Sequence, residues 1–267
     1  MRRTTLVALC LAATATAALT GCQSDQDDKG AGGSGAPASA SASKPAQPSA
    51  PADPFAGLTG AQIADRAVEA TKGARSLRMA GDVPDDESGG TIRIDLAMDR
   101  QGECAGTMSL DGQGRAELIK TGGTLYMKYD EKFLRAQSEG EPAADTDAAV
   151  AMLAGKWTKM AATGQDAKDL AGFCDLDSML GEMESSGQDV TRGKAATVGD
   201  RPALVLHEKD GADRNTLYVA TEGKPYLLRF DSASPTDPGT MTFSAYDEPV
   251  AAKAPSGQVL DLDALGG

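Results

Sequence analysis

Alternation of apolar and polar residues in short runs is the feature that most constrains the fold of this chain. In the clearest run, 92–98, every second residue is apolar. This spacing puts the apolar side chains of a strand on one face. Comparable runs, separated by short turns that are often rich in glycine, occur at 77–83, 92–98, 104–110, 115–121, 124–128, 189–198, 203–208, 215–220, 226–231 and 240–246. The pattern predicts an antiparallel meander with one apolar face.

Helices are predicted before the first strand series and between the two series. Thr59-Gly60-Ala61-Gln62 is a capping-box sequence, which predicts a helix to about Lys72. Further helices are predicted at 130–137, 142–154, 166–172 and 176–183. About ten antiparallel strands with a few helices predict an α+β domain over residues 55–267, and the acidic tail after Asp247 is expected to run over its surface.

The first 21 residues are predicted to be an export signal. Two arginines follow Met1, and the apolar run 6–18 is shorter than the roughly 20 residues that a spanning helix needs. Arg2-Arg3 leaves twin-arginine export open, although Thr4-Thr5-Leu6 favours ordinary secretion. The signal places the folded domain outside the cytoplasm.

Leu19-Thr20-Gly21-Cys22 resembles the lipobox of bacterial lipoproteins, in which the cysteine thiol carries a diacylglycerol after cleavage. The alternative is a chance cysteine at a cleavage site. Ala, Gly, Ser and Pro make up 22 of the 25 residues in 30–54, a composition that cannot form a core. Residues 22–54 are therefore predicted to be a lipidated, disordered tether on the outer face of the cell membrane.

Charge and residue usage exclude several classes of function. The chain has 26 Lys and Arg against 39 Asp and Glu, a net charge of −13, which argues against nucleic acid and against docking on anionic lipid. His207 is the only histidine, so an H-E-x-x-H site and a Cys/His zinc site are excluded. Neither a G-x-S-x-G elbow nor a glycine-rich nucleotide motif occurs. We expect no enzyme, cofactor or resident metal.

Two of the four cysteines belong to the folded domain. Cys10 leaves with the signal and Cys22 is the acylation site, so Cys104 and Cys174 remain as a pair in an oxidising compartment. A redox pair or a metal pair is the alternative, but the chain has no C-x-x-C and no supporting histidine. The sequence therefore favours a structural disulfide between Cys104 and Cys174.

The order of lipobox, tether, helix, strands, helical insert and strands resembles the actinobacterial LppX/LprG-type lipoproteins. The segment 243–250 with Ala254-Pro255 looks like their last strand and exit, and the surroundings of Cys104 and Cys174 are similar to streptomycete members. The resemblance implies a fold like that of the LolA/LolB carriers, a curved antiparallel half-barrel closed by helices over an apolar cavity. It implies a lipid or lipidated ligand, and we expect a monomer.

A lipid cavity and an ordinary packed core both account for the apolar strand faces. If the cavity exists, one residue set is predicted to line it: Ile92, Ile94, Leu96, Leu118, Leu180, Leu204 and Leu217. If the core is filled, the chain is instead an anchored interaction domain that modulates an envelope protein. Asp175 and Asp177 suit a calcium site, or simply the first turn of a helix, where acids are favourable.

Overall fold

The β-strands of the computed structural model form a single sheet. The structure describes residues 53–85, 90–181, 183, 189–235 and 238–265. The predicted signal peptide, the predicted acylation site Cys22 and the predicted tether up to residue 52 lie outside the described residues. The carboxylate of Asp53, the first described residue, pairs with Arg192 at 2.5 Å.

The elements run in the order helix, five strands, two helices, one strand, two helices and six strands. The strands are β1 Ser76–Asp85, β2 Gly90–Asp99, β3 Cys104–Leu110, β4 Gly114–Thr121, β5 Thr124–Tyr129, β6 Trp157–Ala161, β7 Val190–Val198, β8 Arg201–Asp210, β9 Asp213–Ala220, β10 Leu227–Ala233, β11 Pro238–Ser244 and β12 Val259–Asp261. The helices are α1 Gly60–Lys72, α2 Glu131–Gln137, α3 Ala143–Leu153, α4 Gln165–Gly172 and α5 Leu176–Gly181. Within the described residues, no helix has both the length and the apolar composition needed to cross a bilayer.

The strand order is β12-β6-β5-β4-β3-β2-β1-β11-β10-β9-β8-β7, so the two strand series meet where β1 pairs with β11. The sheet is curved and not closed, with β7 and β12 at its edges. Neighbours are antiparallel except β12, which pairs in parallel with β6. The predicted α+β class is confirmed, and the described residues form twelve strands where about ten were predicted.

The two additional strands, β6 and β12, pair with each other. β6 is five residues long and β12 only three, too short for a distinct alternation in the sequence. Val259 lies opposite Trp157 and Asp261 opposite Lys159, 102 positions earlier. The tail after Asp247 was predicted to cross the surface, and this part of it instead extends the sheet. Strand β12 forms only because it pairs with β6, a strand far away in the sequence, so local sequence did not predict it.

The two faces of the sheet differ in chemistry. We call the face that carries Leu77, Leu96 and Leu118 the inner face and the opposite one the outer face. On the outer face, arginines pair with aspartates of the neighbouring strand: Arg78 Nε donates to Asp95 at 2.6 Å and Arg93 Nε to Asp82 at 2.7 Å. The inner face carries the buried core cluster.

Helix α1 begins with the predicted capping box. The backbone N–H of Gln62 donates to Thr59 Oγ1 at 3.2 Å, and the Thr59 N–H donates to Gln62 Oε1 at 3.0 Å. The helix lies against β7, β9 and β10. Gly60 permits this approach, since a Cβ there would overlap the carbonyl oxygen of Val190.

Two inward-facing glycines accompany the curvature of the sheet. Gly81 pairs with Ile94, and Gly106 pairs with Leu96. A Cβ on Gly106 would overlap the Asp95 carbonyl oxygen, and one on Gly81 would overlap that of Thr240. The backbones of neighbouring strands approach closely at these two points, as at the bends of strongly coiled sheets.

The segment after β11 is held at the start of β1. Asp247, in the left-handed region at φ 61°, accepts hydrogen bonds from the Arg75 N–H at 2.9 Å, the Tyr226 hydroxyl at 2.7 Å and Lys224 Nζ at 3.0 Å. These donors, the Arg75 N–H foremost, hold the pKa of Asp247 well below its usual value. The ring of Tyr246 stacks on Tyr226 at 3.9 Å between centroids.

Candidate functional site

Several apolar side chains of the inner face are only half-buried, and we call five of them, near the middle of the sheet, the apolar field: Ile92, Met108, Leu110, Phe230 and Met241. They come from β2, β3, β10 and β11, at the middle of the sheet. The strand register places these residues side by side. On β2 and β3, Ile92 is opposite Leu110 and Ile94 is opposite Met108. Across β1, Gly81 lies between Ile94 and Met241, and Met241 is opposite Phe230.

Burial along β2 shows where the inner face is covered. Ile92 is half-buried, Ile94 is 7% exposed, and Leu96 and Met98 are 0% exposed. All four point to the same face, so the gradient comes from what lies above the strand. The covered end is where Met98 is opposite Cys104, which is bonded to the helical insert.

The disulfide predicted from the sequence is present. Cys104 at the start of β3 and Cys174 between α4 and α5 are bonded, with Cα atoms 5.4 Å apart, and both residues are fully buried. Arg100 reinforces this end: its Nε donates to the Ala74 carbonyl at 2.8 Å and its guanidinium also pairs with Asp177. Helices α4 and α5 are thereby fixed over the covered end of the inner face.

The seven residues predicted to contact a ligand divide into two groups. Five lie in one continuous buried cluster with α1 and α5: Leu96, Leu118, Leu180, Leu204 and Leu217. Ile94 is buried beside the apolar field and Ile92 is part of it. Ligand contact by these residues stays a prediction. Six of the seven are buried, and only Ile92 is accessible at the surface of the inner face.

Four members of the apolar field were not predicted: Met108, Leu110, Phe230 and Met241. All four belong to runs that the sequence identified as strands, 104–110, 226–231 and 240–246. Alternation showed that Met108 and Leu110 share a face with Cys104. The half-exposed state depends on which positions the helices cover, and that is not encoded in the period of a strand.

A cleft of about 660 Å³ lies beside the disulfide, and its lining includes none of the seven predicted residues. Lys120 Nζ in this lining donates to the Gly102 carbonyl at 2.7 Å. Asp175 accepts from the Ser178 N–H at 3.0 Å, a hydrogen bond that lowers its pKa, and Asp177 pairs with Arg100. Both acids thus have structural partners, and the described residues contain no cluster of three or more His, Cys, Asp or Glu that could hold a metal.

The arrangement is that of an open antiparallel sheet whose inner face is partly covered by helices. No protein-family model matches the chain, and no curated protein does. Among solved structures it is similar to LprF from Mycobacterium bovis, at 16% identity and TM-score 0.48, over 74% of this chain and 97% of that one. It is also similar to lipoprotein LppX from Mycobacterium tuberculosis, at 13% identity and TM-score 0.46, over 73% and 98%.

A more distant similarity is to a putative outer membrane lipoprotein-sorting protein domain from Vibrio parahaemolyticus, at 7% identity and TM-score 0.24, over 74% of this chain and 94% of that one. The resemblance to LppX-type lipoproteins noted in the sequence is therefore confirmed as a structural similarity. At these identities and TM-scores the likeness assigns no function.

Proposed function

We propose that this chain is a membrane-anchored extracytoplasmic lipoprotein that binds the apolar part of a lipid or other amphiphile on the apolar field. The observation that supports this most directly is the arrangement of the field: its members on β3 and β2 are joined to those on β11 and β10 through Ile94 and Gly81, without an intervening polar side chain. Contiguous apolar surface that remains accessible beside a filled core is typical of binding sites. Met108 and Met241 suit a ligand of irregular shape, because the flexible methionine side chain can adjust its conformation to the ligand surface.

Polar groups adjoin the field on the same face. Asn215 lies opposite both Glu208 and Ser232, and Ser232 is two positions after Phe230 on β10. The Asn215 side-chain amide donates to Glu208 Oε2 at 3.0 Å, and Glu208 is 7% exposed. An amphiphile could place its apolar chain along the field and its polar head near Glu208, Asn215 and Ser232. Ligand sites commonly combine apolar walls with a few polar groups.

The proposed anchor is a diacylglycerol on Cys22. Two acyl chains bind a bilayer stably because each buried CH₂ contributes about 0.8 kcal/mol. The tether would hold the domain away from the cell membrane, on its outer face. We propose a monomeric binding protein without catalytic activity, cofactor or nucleic-acid partner.

One observation favours a second function, an anchored interaction domain. The inner-face cluster joins both strand series, α1 and α5 into one continuous core, so the interior is filled over much of its extent. In that case the apolar field is a contact surface for an envelope protein. Fatty-acid binding at the apolar field separates the two proposals.

Substituting Met108 by lysine is expected to weaken binding of a fluorescent fatty acid at least about tenfold, because the ammonium would be desolvated by a bound acyl chain. The matched control is Thr107→Lys, which adds the same charge at the next residue. Thr107 lies opposite Asp95 and Glu117 on the outer face. The Thr107→Lys variant should therefore bind the fatty acid as the wild type does. Circular dichroism checks that both variants fold.

A folded Met108→Lys variant with wild-type affinity would exclude the field as the binding site. If the wild-type chain binds no fatty acid and co-purifies with none in native mass spectrometry, the carrier proposal fails and the interaction domain is favoured.

The anchor has its own test. Cys22→Ala is expected to move the protein from the membrane fraction to the medium, or to leave an uncleaved precursor, since the acylated thiol is lost. Fractionation with Triton X-114 and the mass of the N-terminal peptide report the outcome. A processed Cys22→Ala protein that still enters the detergent phase would show that the lipobox interpretation is wrong.

A further inference from the structure

A second, smaller cleft of about 420 Å³ lies where α3 ends and β6 begins, next to β12. Its volume is within the range of small-ligand sites, about 300–1,000 Å³. The lining consists of Met152, Gly155, Lys156, Trp157, Gln258 and Leu260. None of these residues belongs to the apolar field, so this cleft is a separate site.

The local fold explains why apolar side chains remain accessible there. Helix α3 has no buried residue although it is rich in Ala, Val, Met and Leu, and Met152 is 49% exposed. Gly155, at φ 68°, turns the chain into β6 and donates its N–H to the Tyr129 carbonyl at 2.8 Å. Strand β12 covers β6 over three residues only, so Trp157 and Leu260 stay half-buried.

The charge of the cleft is opposite to that of the chain as a whole. The chain carries a net charge of −13, yet the lining contains one lysine and no acidic residue. Lys156 is exposed, and its Nζ uses one donor for the Ala151 carbonyl at 2.8 Å. An ammonium has three donors, so two remain.

We infer that this cleft binds a single-chain carboxylate amphiphile. The alkyl chain would pack on Met152 and Leu260, next to Trp157 in the same lining, and the carboxylate would accept hydrogen bonds from Lys156. The inference goes beyond the proposed function, since it assigns a second site to residues of α3, β6 and β12 and names the headgroup chemistry. It holds or fails independently of binding at the apolar field.

Trp157 is the only tryptophan, so its fluorescence reports on this cleft. The probe is dodecanoate below its critical micelle concentration, titrated into the full chain carrying Cys22→Ser, which cannot be acylated there. We expect a saturable change in Trp157 emission. Lys156→Gln should weaken the apparent affinity about fivefold, the upper range for an exposed ion pair. Dodecyltrimethylammonium, of the same chain length, should bind more weakly than dodecanoate.

Two control variants test whether the change in Trp157 emission comes from binding at this cleft. Lys194→Gln removes the same charge from an exposed position of β7, at the opposite edge of the sheet, and should leave the titration unchanged. Met108→Lys, in the apolar field, should also leave it unchanged. Equal affinities for the two amphiphiles, no effect of Lys156→Gln, or loss of the signal in Met108→Lys would each overturn the inference.

Discussion

Replacing Cys104 and Cys174 together by alanine is expected to lower the free energy of unfolding by about 4 kcal/mol. The bond joins residues 70 positions apart, so its loss frees a long loop in the unfolded chain. It also releases α4 and α5 from the covered end of the inner face. Urea unfolding followed by circular dichroism measures the change.

Reduction of the wild-type protein is the matched comparison, because it breaks the same bond without removing buried sulfur atoms. The reduced wild type should lose most of the stability that the double variant loses, and reductant should leave the double variant unchanged. A loss below about 1 kcal/mol in both cases would show that the bond adds little to stability.

Gly106→Ala is expected to destabilise the domain by about 3 kcal/mol, a large effect for one methyl group. The added Cβ would overlap the Asp95 carbonyl oxygen and lie 2.8 Å from the Leu96 Cα, both backbone atoms of the neighbouring strand. Backbone atoms cannot rotate away as a side chain would, so β2 and β3 would have to separate. Thermal and urea unfolding measure the loss.

Gly172→Ala is the control for that substitution. Gly172 ends α4, and a Cβ there meets no atom within 4 Å. Gly172→Ala should leave the free energy of unfolding unchanged or raise it slightly, because alanine restricts the conformations of the unfolded chain. A Gly106→Ala variant as stable as Gly172→Ala would mean that the close approach of β2 and β3 does not depend on glycine.

The elements that the sequence predicted correctly are those specified by local chemistry. The alternation in 92–98 corresponds to β2, and its apolar residues share one face. The capping box at Thr59 marks the start of α1, because its two hydrogen bonds join residues only three apart. The bond between Cys104 and Cys174 was predicted from the number of cysteines and the predicted oxidising compartment. The strand and the capping box depend on residues close together in sequence, whereas the disulfide joins residues 70 positions apart and was predicted because only two cysteines belong to the folded domain.

The tertiary structure alone decided the pairing of β12 with β6 and the exposure of the apolar field. Leu96 and Ile92 are both apolar residues of one face of β2, yet Leu96 is fully buried and Ile92 is half-buried. The difference depends on which end of the sheet lies beneath the disulfide-bonded helices. Periodicity determines the face to which a side chain points, whereas burial depends on elements far away in the sequence that pack against that face.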